Sequence, residues 1–233
     1  MHVQIVLFDA FDPLDVVAPF EVLHAGGDAT GGAVTVELVS AEGPRVVVGG
    51  TGGLALPATA ALDPHRPGWV LVPGASGPVG TGYADGGADP AGDGAGSVAD
   101  EGATIPVLLG RTLGTRLPDL LREAAADPDV RMATVCGGGL VLALAGLLEG
   151  RPAVTHHLGM DLLEATGAVP VHARVVDDGD VVTGVGVTSG LDVALHLLER
   201  ELGPRVAHLV EQLFAYERRG TVWRATGREA VLV

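Results

Sequence analysis

Cys136 is the one thiol in a chain of 233 residues. It stands between an apolar run and three glycines in "MATVCGGGLVLALAGLLEGR" (132–151). A thiol becomes a nucleophile when it sheds its proton and can be reached. The pattern predicts a strand ending at Val135, a tight turn carrying Cys136, and a helix opening on the glycines. Such a junction presents its central side chain at the carboxyl end of a sheet, and the glycines let other backbone pass close by. The helix start adds partial positive charge that favours the thiolate, and Gly137 offers an amide for developing negative charge. On this reading Cys136 is an accessible, ionised nucleophile. The competing reading is a buried structural cysteine, because free Cys is among the most buried residue types.

Three other stretches carry groups that could serve a thiol. In "DPLDVVAPFEVL" (12–23), Asp15 and Glu21 are carboxylates near the end of a first strand. Burial would raise the pKa of either and fit it for proton transfer. Asp15 also reads as a helix N-cap. In "VLVPGA" (70–75), Gly74 and Ala75 follow a strand, and their amides could face the thiol as an oxyanion hole. In "AVTHHLG" (153–159), His156 and His157 follow a strand-like run. Cys with His is a common nucleophile–base pair, but neighbours on a strand point to opposite faces, so at most one serves. The remaining histidines show no metal-ligand spacing, and no metal or cofactor is expected.

These segments need a scaffold. A hydrophobic content of 47% over this length suits one domain spanning 1–233. Continuous apolar runs such as "VQIVLF", "WVLV" and "VRMATV" read as strands covered on both faces. They alternate with helical stretches: "LDVVAPFEVLHAG", interrupted by Pro19 and closing at Gly26–Gly27; "TRLPDLLREAAADP"; "GGLVLALAGLLEG", stopped by Gly150; and a final pair, "GLDVALHLLERELG" and "PRVAHLVEQLFAYERR". Asp178-Gly179 marks a hairpin turn. The alternation predicts an α/β three-layer sandwich with a mostly parallel central sheet flanked by helices. A segment at about 77–103, rich in Gly, Ala and Asp, breaks the pattern and reads as an insertion, either a tolerated surface loop or a lid. The net charge of −15, with every basic residue an arginine, disfavours a nucleic-acid partner. No apolar run reaches the ~20 residues of a membrane span, and the amino terminus lacks a positive leader, so a cytoplasmic protein is expected.

In this order the pieces resemble the ThiJ/PfpI superfamily, whose flavodoxin-like fold is related to class I glutamine amidotransferases. "VLFDAFDPLDVVAPFEVL" is similar to its opening strand, acid and "aPfEvl" helix; "VLVPGA" resembles its "vPGG" loop. "ATVCGGGLVLALAGLLEGRPAVTHH" resembles its cysteine block, "VVTGVGVTSGLDVALHLLER" a later glycine block, and "VAHLVEQLFAYE" its tail. Two subgroups share the pattern: isonitrile hydratases and the amino-terminal domains of AraC-type regulators. The regulators continue into a DNA-binding segment, whereas this chain stops soon after "FAYERRG", which favours a stand-alone enzyme. The resemblance implies hydration of a small isonitrile to an N-substituted formamide through a thioimidate on Cys136. Asp15 would be proton donor and then base, the amides of Gly74, Ala75 and Gly137 would orient the intermediate, and Thr183 would line the pocket. It also implies a homodimer. Three positions depart from the family: Gly137 replaces the usual Thr after the cysteine, Ala75 replaces the second glycine of "PGG", and Val185 splits a glycine pair. Relatives with protease or deglycase activity carry His after the cysteine, so Gly137 argues against both. A non-catalytic ligand-binding or redox-sensing protein, or amide or aldehyde chemistry with His156 as base, remain the alternatives.

Overall fold

The structure, a computed structural model, describes residues 1–77 and 103–227. The predicted insertion therefore lies outside the described residues except at its two ends. In chain order the elements are β1 (His2–Leu7), α1 (Pro13–Ala29), β2 (Thr35–Ser40), β3 (Arg45–Val48), β4 (Ala55–Ala58), β5 (Ala60–Ala61) and β6 (Gly68–Val72). Then come α2 (Ile105–Arg111), α3 (Leu117–Ala126), β7 (Val130–Val135), α4 (Gly138–Leu144), β8 (Pro152–Ala153), α5 (Met160–Ala165) and β9 (Val169–Pro170). The last are β10 (Val175–Asp177), β11 (Val181–Gly184), α6 (Ser189–Leu202), α7 (Pro204–Phe214) and β12 (Trp223–Arg224).

The main sheet has the order β12-β10-β11-β7-β6-β1-β2-β5. All its neighbours run parallel except the hairpin β10–β11, which turns at the predicted Asp178-Gly179. The central strands are buried along nearly their whole length, as their unbroken apolar runs require. Helices α1, α6 and α7 pack on one another, and α2 to α5 form a second group, so the sheet is flanked by helices as expected. Because β1, β6, β7 and β11 are parallel, their carboxyl ends lie along one edge. Asp15, Gly74, Cys136 and Gly184 all lie at or just beyond those ends.

Several predicted boundaries move. Helix α1 runs from Pro13 straight through Pro19 and past Gly26–Gly27. The glycines do not end it; a Cβ at Gly26 would lie 2.5 Å from a Leu198 methyl carbon, so glycine there lets α1 press against α6. Helix α4 stops six residues before Gly150. Gly146 takes φ +81°, the Gly146 N–H donates to the Ala143 carbonyl (2.9 Å), and that of Leu147 to Leu142 (3.0 Å), a Schellman stop. The apolar run "VVV" (46–48) forms β3, which joins β4 in an antiparallel ribbon separate from the main sheet. The run before His156 shrinks to the two residues of β8, paired with β9. Helix α2 was not anticipated: it is short, has Pro106 in its first turn, and its cap Thr104 makes no side-chain bond.

Candidate active site

The junction after β7 is tight. Cys136 takes φ +57°, a left-handed conformation that costs a side-chain-bearing residue about 1–2 kcal/mol. Two polar ties hold it there. Its N–H donates to the Gly184 carbonyl at 3.0 Å, and its carbonyl accepts from the Thr155 hydroxyl at 2.8 Å. The glycines beyond it serve close approach. A Cβ on Gly138 would lie 2.0 Å from the Val72 carbonyl oxygen, so only glycine lets the start of α4 rest on the end of β6. Replacement of Gly138 by Ala is expected to cost about 3 kcal/mol, the upper range for overpacking, because the obstacle is backbone. Chemical denaturation checks this; a change below about 0.5 kcal/mol would contradict the packing argument.

Asp15 lies in the first turn of α1, but it does not cap the helix. Asp12 does, its Oδ1 accepting from the Leu14 N–H at 2.9 Å. That frees Asp15 to point inward, where it is 0% exposed. Its Oδ2 accepts from the Gly74 N–H at 2.9 Å, while the buried Oδ1 has no hydrogen-bond partner among the described residues. Gly74 is the meeting point: a Cβ there would lie 2.6 Å from the Gly137 nitrogen, 2.8 Å from Asp15 Oδ2 and 3.2 Å from Cys136 Cβ. The bare backbone of Gly74 thus brings the carboxyl and the thiol into contact range of each other.

The electrostatics correct one expectation. Burial, aided by the Asp12 carboxylate, raises the Asp15 pKa to about 8. Burial and then the Asp15 charge push the Cys136 thiol well above the ordinary range for cysteine, and the Gly137 N–H offsets only part of that. The thiol predicted to be exposed and ionised is 6% exposed and protonated. The helix beneath it is only seven residues long, and desolvation outweighs its dipole. Near pH 7 the site is a neutral acid–thiol pair. Its low-dielectric surroundings hold both protons in place.

The remaining candidates fall at different distances from this pair. The Gly74 amide is committed to Asp15. Ala75 forms an isolated bridge with Phe11, whose hydrogen bonds are made by the flanking residues, Asp12 to Gly74 (2.9 Å) and Ser76 to Ala10 (3.1 Å). The N–H of Ala75 itself lies outside that pairing, and the Gly137 N–H faces the sulfur. Thr183 is buried in β11, where its hydroxyl accepts from the Val154 N–H at 2.9 Å; it ties β11 to the stretch after β8. His156 and His157 do not point apart, because they lie beyond β8 at the start of a short 3-10 turn, and their ring centroids are 4.2 Å apart with the rings tilted by 39°. The His156 Nδ1 accepts from the Leu158 N–H at 3.3 Å, and burial lowers its pKa. Glu21 is exposed on α1. Among the described residues no group of His, Cys, Asp or Glu is placed to hold a metal ion, and no helix is long and apolar enough to cross a membrane.

Two residues of the site were not anticipated. Thr155 directly precedes His156 and His157, and its hydroxyl holds the turn of Cys136. Leu109, on the unexpected α2, packs over Gly137: a Cβ at Gly137 would meet its two methyl carbons at 2.9 and 3.4 Å. Nothing in the leucine pair of "TIPVLLGR" marks it.

Residues 111–200 match the model of the DJ-1/PfpI family. An isonitrile hydratase of Pseudomonas putida is 32% identical over 216 residues, which is 93% of this chain and 78% of that protein. The HTH-type transcriptional regulator GbdR of Pseudomonas aeruginosa is 34% identical over 98 residues, 41% of this chain and 27% of the regulator. Among solved structures, a ThiJ/PfpI family protein from Pseudomonas syringae superposes with a TM-score of 0.70 at 23% identity, covering 94% of this chain and 76% of that one. Drosophila melanogaster DJ-1beta does so with a TM-score of 0.68 at 16% identity, covering 93% and 98%. At these identities the structures speak for the fold alone.

Proposed function

From the premise that this chain belongs to the DJ-1/PfpI family, we propose that it hydrates isonitriles, R–N≡C, to N-substituted formamides, with Cys136 as nucleophile and Asp15 as proton carrier. The observation that carries this reading is the neutral carboxyl–thiol pair meeting at Gly74. An isonitrile carbon takes both a proton and a nucleophile on the same atom. A protonated acid beside a protonated thiol supplies both without separating charge in a buried site. The similarity to isonitrile hydratase over most of the chain supports the same choice of substrate.

Asp15 gives its proton to the terminal carbon while the sulfur of Cys136 bonds to that carbon. The thiol proton passes to the carboxylate, which is thereby neutral again. The product is a thioimidate, R–N=CH–S–Cys. Asp15 then protonates the imine nitrogen and takes a proton from water as the water oxygen adds to the carbon. Collapse of R–NH–CH(OH)–S–Cys expels the sulfur, the hydroxyl proton returns to it through Asp15, and R–NH–CHO leaves. The amides of Ala75 and Gly137 orient the adduct. No cofactor takes part in these steps.

The test is purified protein with an alkyl isonitrile, following formamide. Turnover is expected, and none at any pH from 6 to 9 would overturn the reading. The pH profile has a defined sign. The working form of Asp15 is the protonated one, with its pKa raised to about 8, so kcat/KM should be level near neutrality and fall above about pH 8. A resting-thiolate enzyme would show the opposite slope. A redox-sensing role is disfavoured, because sensor thiols are exposed and of low pKa, and this one is neither.

A further inference from the structure

The geometry points to Leu109 as the side chain that sets substrate size and access at this site, by filling the volume that a side chain at position 137, next to the thiol-bearing residue, would otherwise hold. The inference rests on the site proposed above. Its first support is contact: Leu109 is buried, and its methyl carbons lie where a Cβ on Gly137 would meet them, at 2.9 and 3.4 Å. The second is backbone conformation. Gly137 has φ −62°, a value open to any residue, so glycine is not required there by the chain. What a side chain there would meet is Leu109, whose methyl end would have to move aside, together with the Gly74 Cα at 3.4 Å. The third is that α2 makes this contact twice over: Leu108, next in the helix, would lie 2.8 Å from a Cβ on Gly77, at the exit of the loop that carries Gly74. Two consecutive leucines on α2 therefore press on both loops that carry the reacting pair.

The consequence is an apolar cap over residue 137 where a hydroxyl-bearing side chain would otherwise stand. A cap of branched hydrocarbon offers no hydrogen bond to a polar acyl group, and it narrows the approach to the thiol. The substrate class it suits is a slender, uncharged isonitrile, whose reacting carbon is terminal and whose axis is linear. Bulky groups next to the nitrogen would meet Leu109.

Three measurements on the full chain test this. Shortening Leu109 to Ala, and separately to Val in case the larger cavity prevents folding, should raise the rate of Cys136 alkylation by iodoacetamide, by about tenfold for Ala. The ratio of kcat/KM for tert-butyl over n-butyl isonitrile should rise by a similar factor. In a double-mutant cycle, Gly137→Thr should lower the melting temperature when Leu109 is present and cost little once Leu109 is Ala. Unchanged alkylation in both Leu109 variants, or additive melting shifts, would overturn the inference. Failure of the protein to consume any isonitrile would sink only the proposed reaction. The alkylation rates and the cycle would still decide the role of Leu109.

Discussion

Asp15→Asn is expected to lose about 10³-fold in kcat/KM for isonitrile and to melt at a higher temperature than the unaltered protein at pH 8. The two effects have one origin. Asn keeps the acceptor oxygen for the Gly74 N–H, so the loop geometry survives, but it has no proton to pass between sulfur and carbon. Stability moves the other way because the native acid is buried. In the unfolded chain Asp15 ionises near pH 3.8; in the folded protein it holds its proton to about pH 8. The folded state therefore binds more protons between those values, and stability falls as pH rises through that window. The neutral variant escapes this loss. One pKa unit corresponds to about 1.4 kcal/mol, and after relaxation of the site we expect a gain of about 2–3 kcal/mol at pH 8 that vanishes near pH 4. Thermal melts across pH check the sign, and a gap that does not widen with pH would refute the burial argument.

Cys136→Ala should abolish turnover, since without sulfur there is no covalent adduct. Its companion Cys136→Gly separates chemistry from conformation. Alanine inherits the φ of +57° and its strain, whereas glycine is at ease there. The glycine variant is expected to be equally inactive yet about 1 kcal/mol more stable than the alanine variant, as read by chemical denaturation. Equal stability of the two would mean that the turn is not strained. Residual turnover in either would remove Cys136 from the reaction.

Much of this site was legible in the sequence, for identifiable reasons. The run "MATVCGGG" encodes a strand, a turn and a close approach, and the structure has all three around Cys136. The unbroken apolar strands announced a sheet covered on both faces. What could not be read is whatever depends on contacts distant in sequence. The ionisation state of Cys136 follows from burial beneath elements outside its own motif and from a carboxyl 121 positions away. Whether Asp15 or Asp12 caps α1 is decided by which of them the interior accepts. Gly26 signals a stop in isolation; its neighbour Leu198 makes it a point of helix contact instead. The partner of the Thr183 hydroxyl is hidden for a related reason: a hydroxyl in a strand carries no label for which backbone amide will claim it, and here it is that of Val154.

The parallel order of the central strands has a kinetic side. Asp15, Gly74 and Cys136 follow, and Gly184 ends, four strands that are far apart in the chain and adjacent in the sheet. Helices such as α6 and α7 need only local neighbours to begin forming, but the acid, the glycine and the thiol meet only after loops of about 60 residues have closed between them. The entropy of closing such loops makes this meeting a late event in folding. The sulfur is therefore shielded from alkylating reagents only when the whole sheet is assembled, and the same atom that would carry the chemistry also reports that the chain has finished folding.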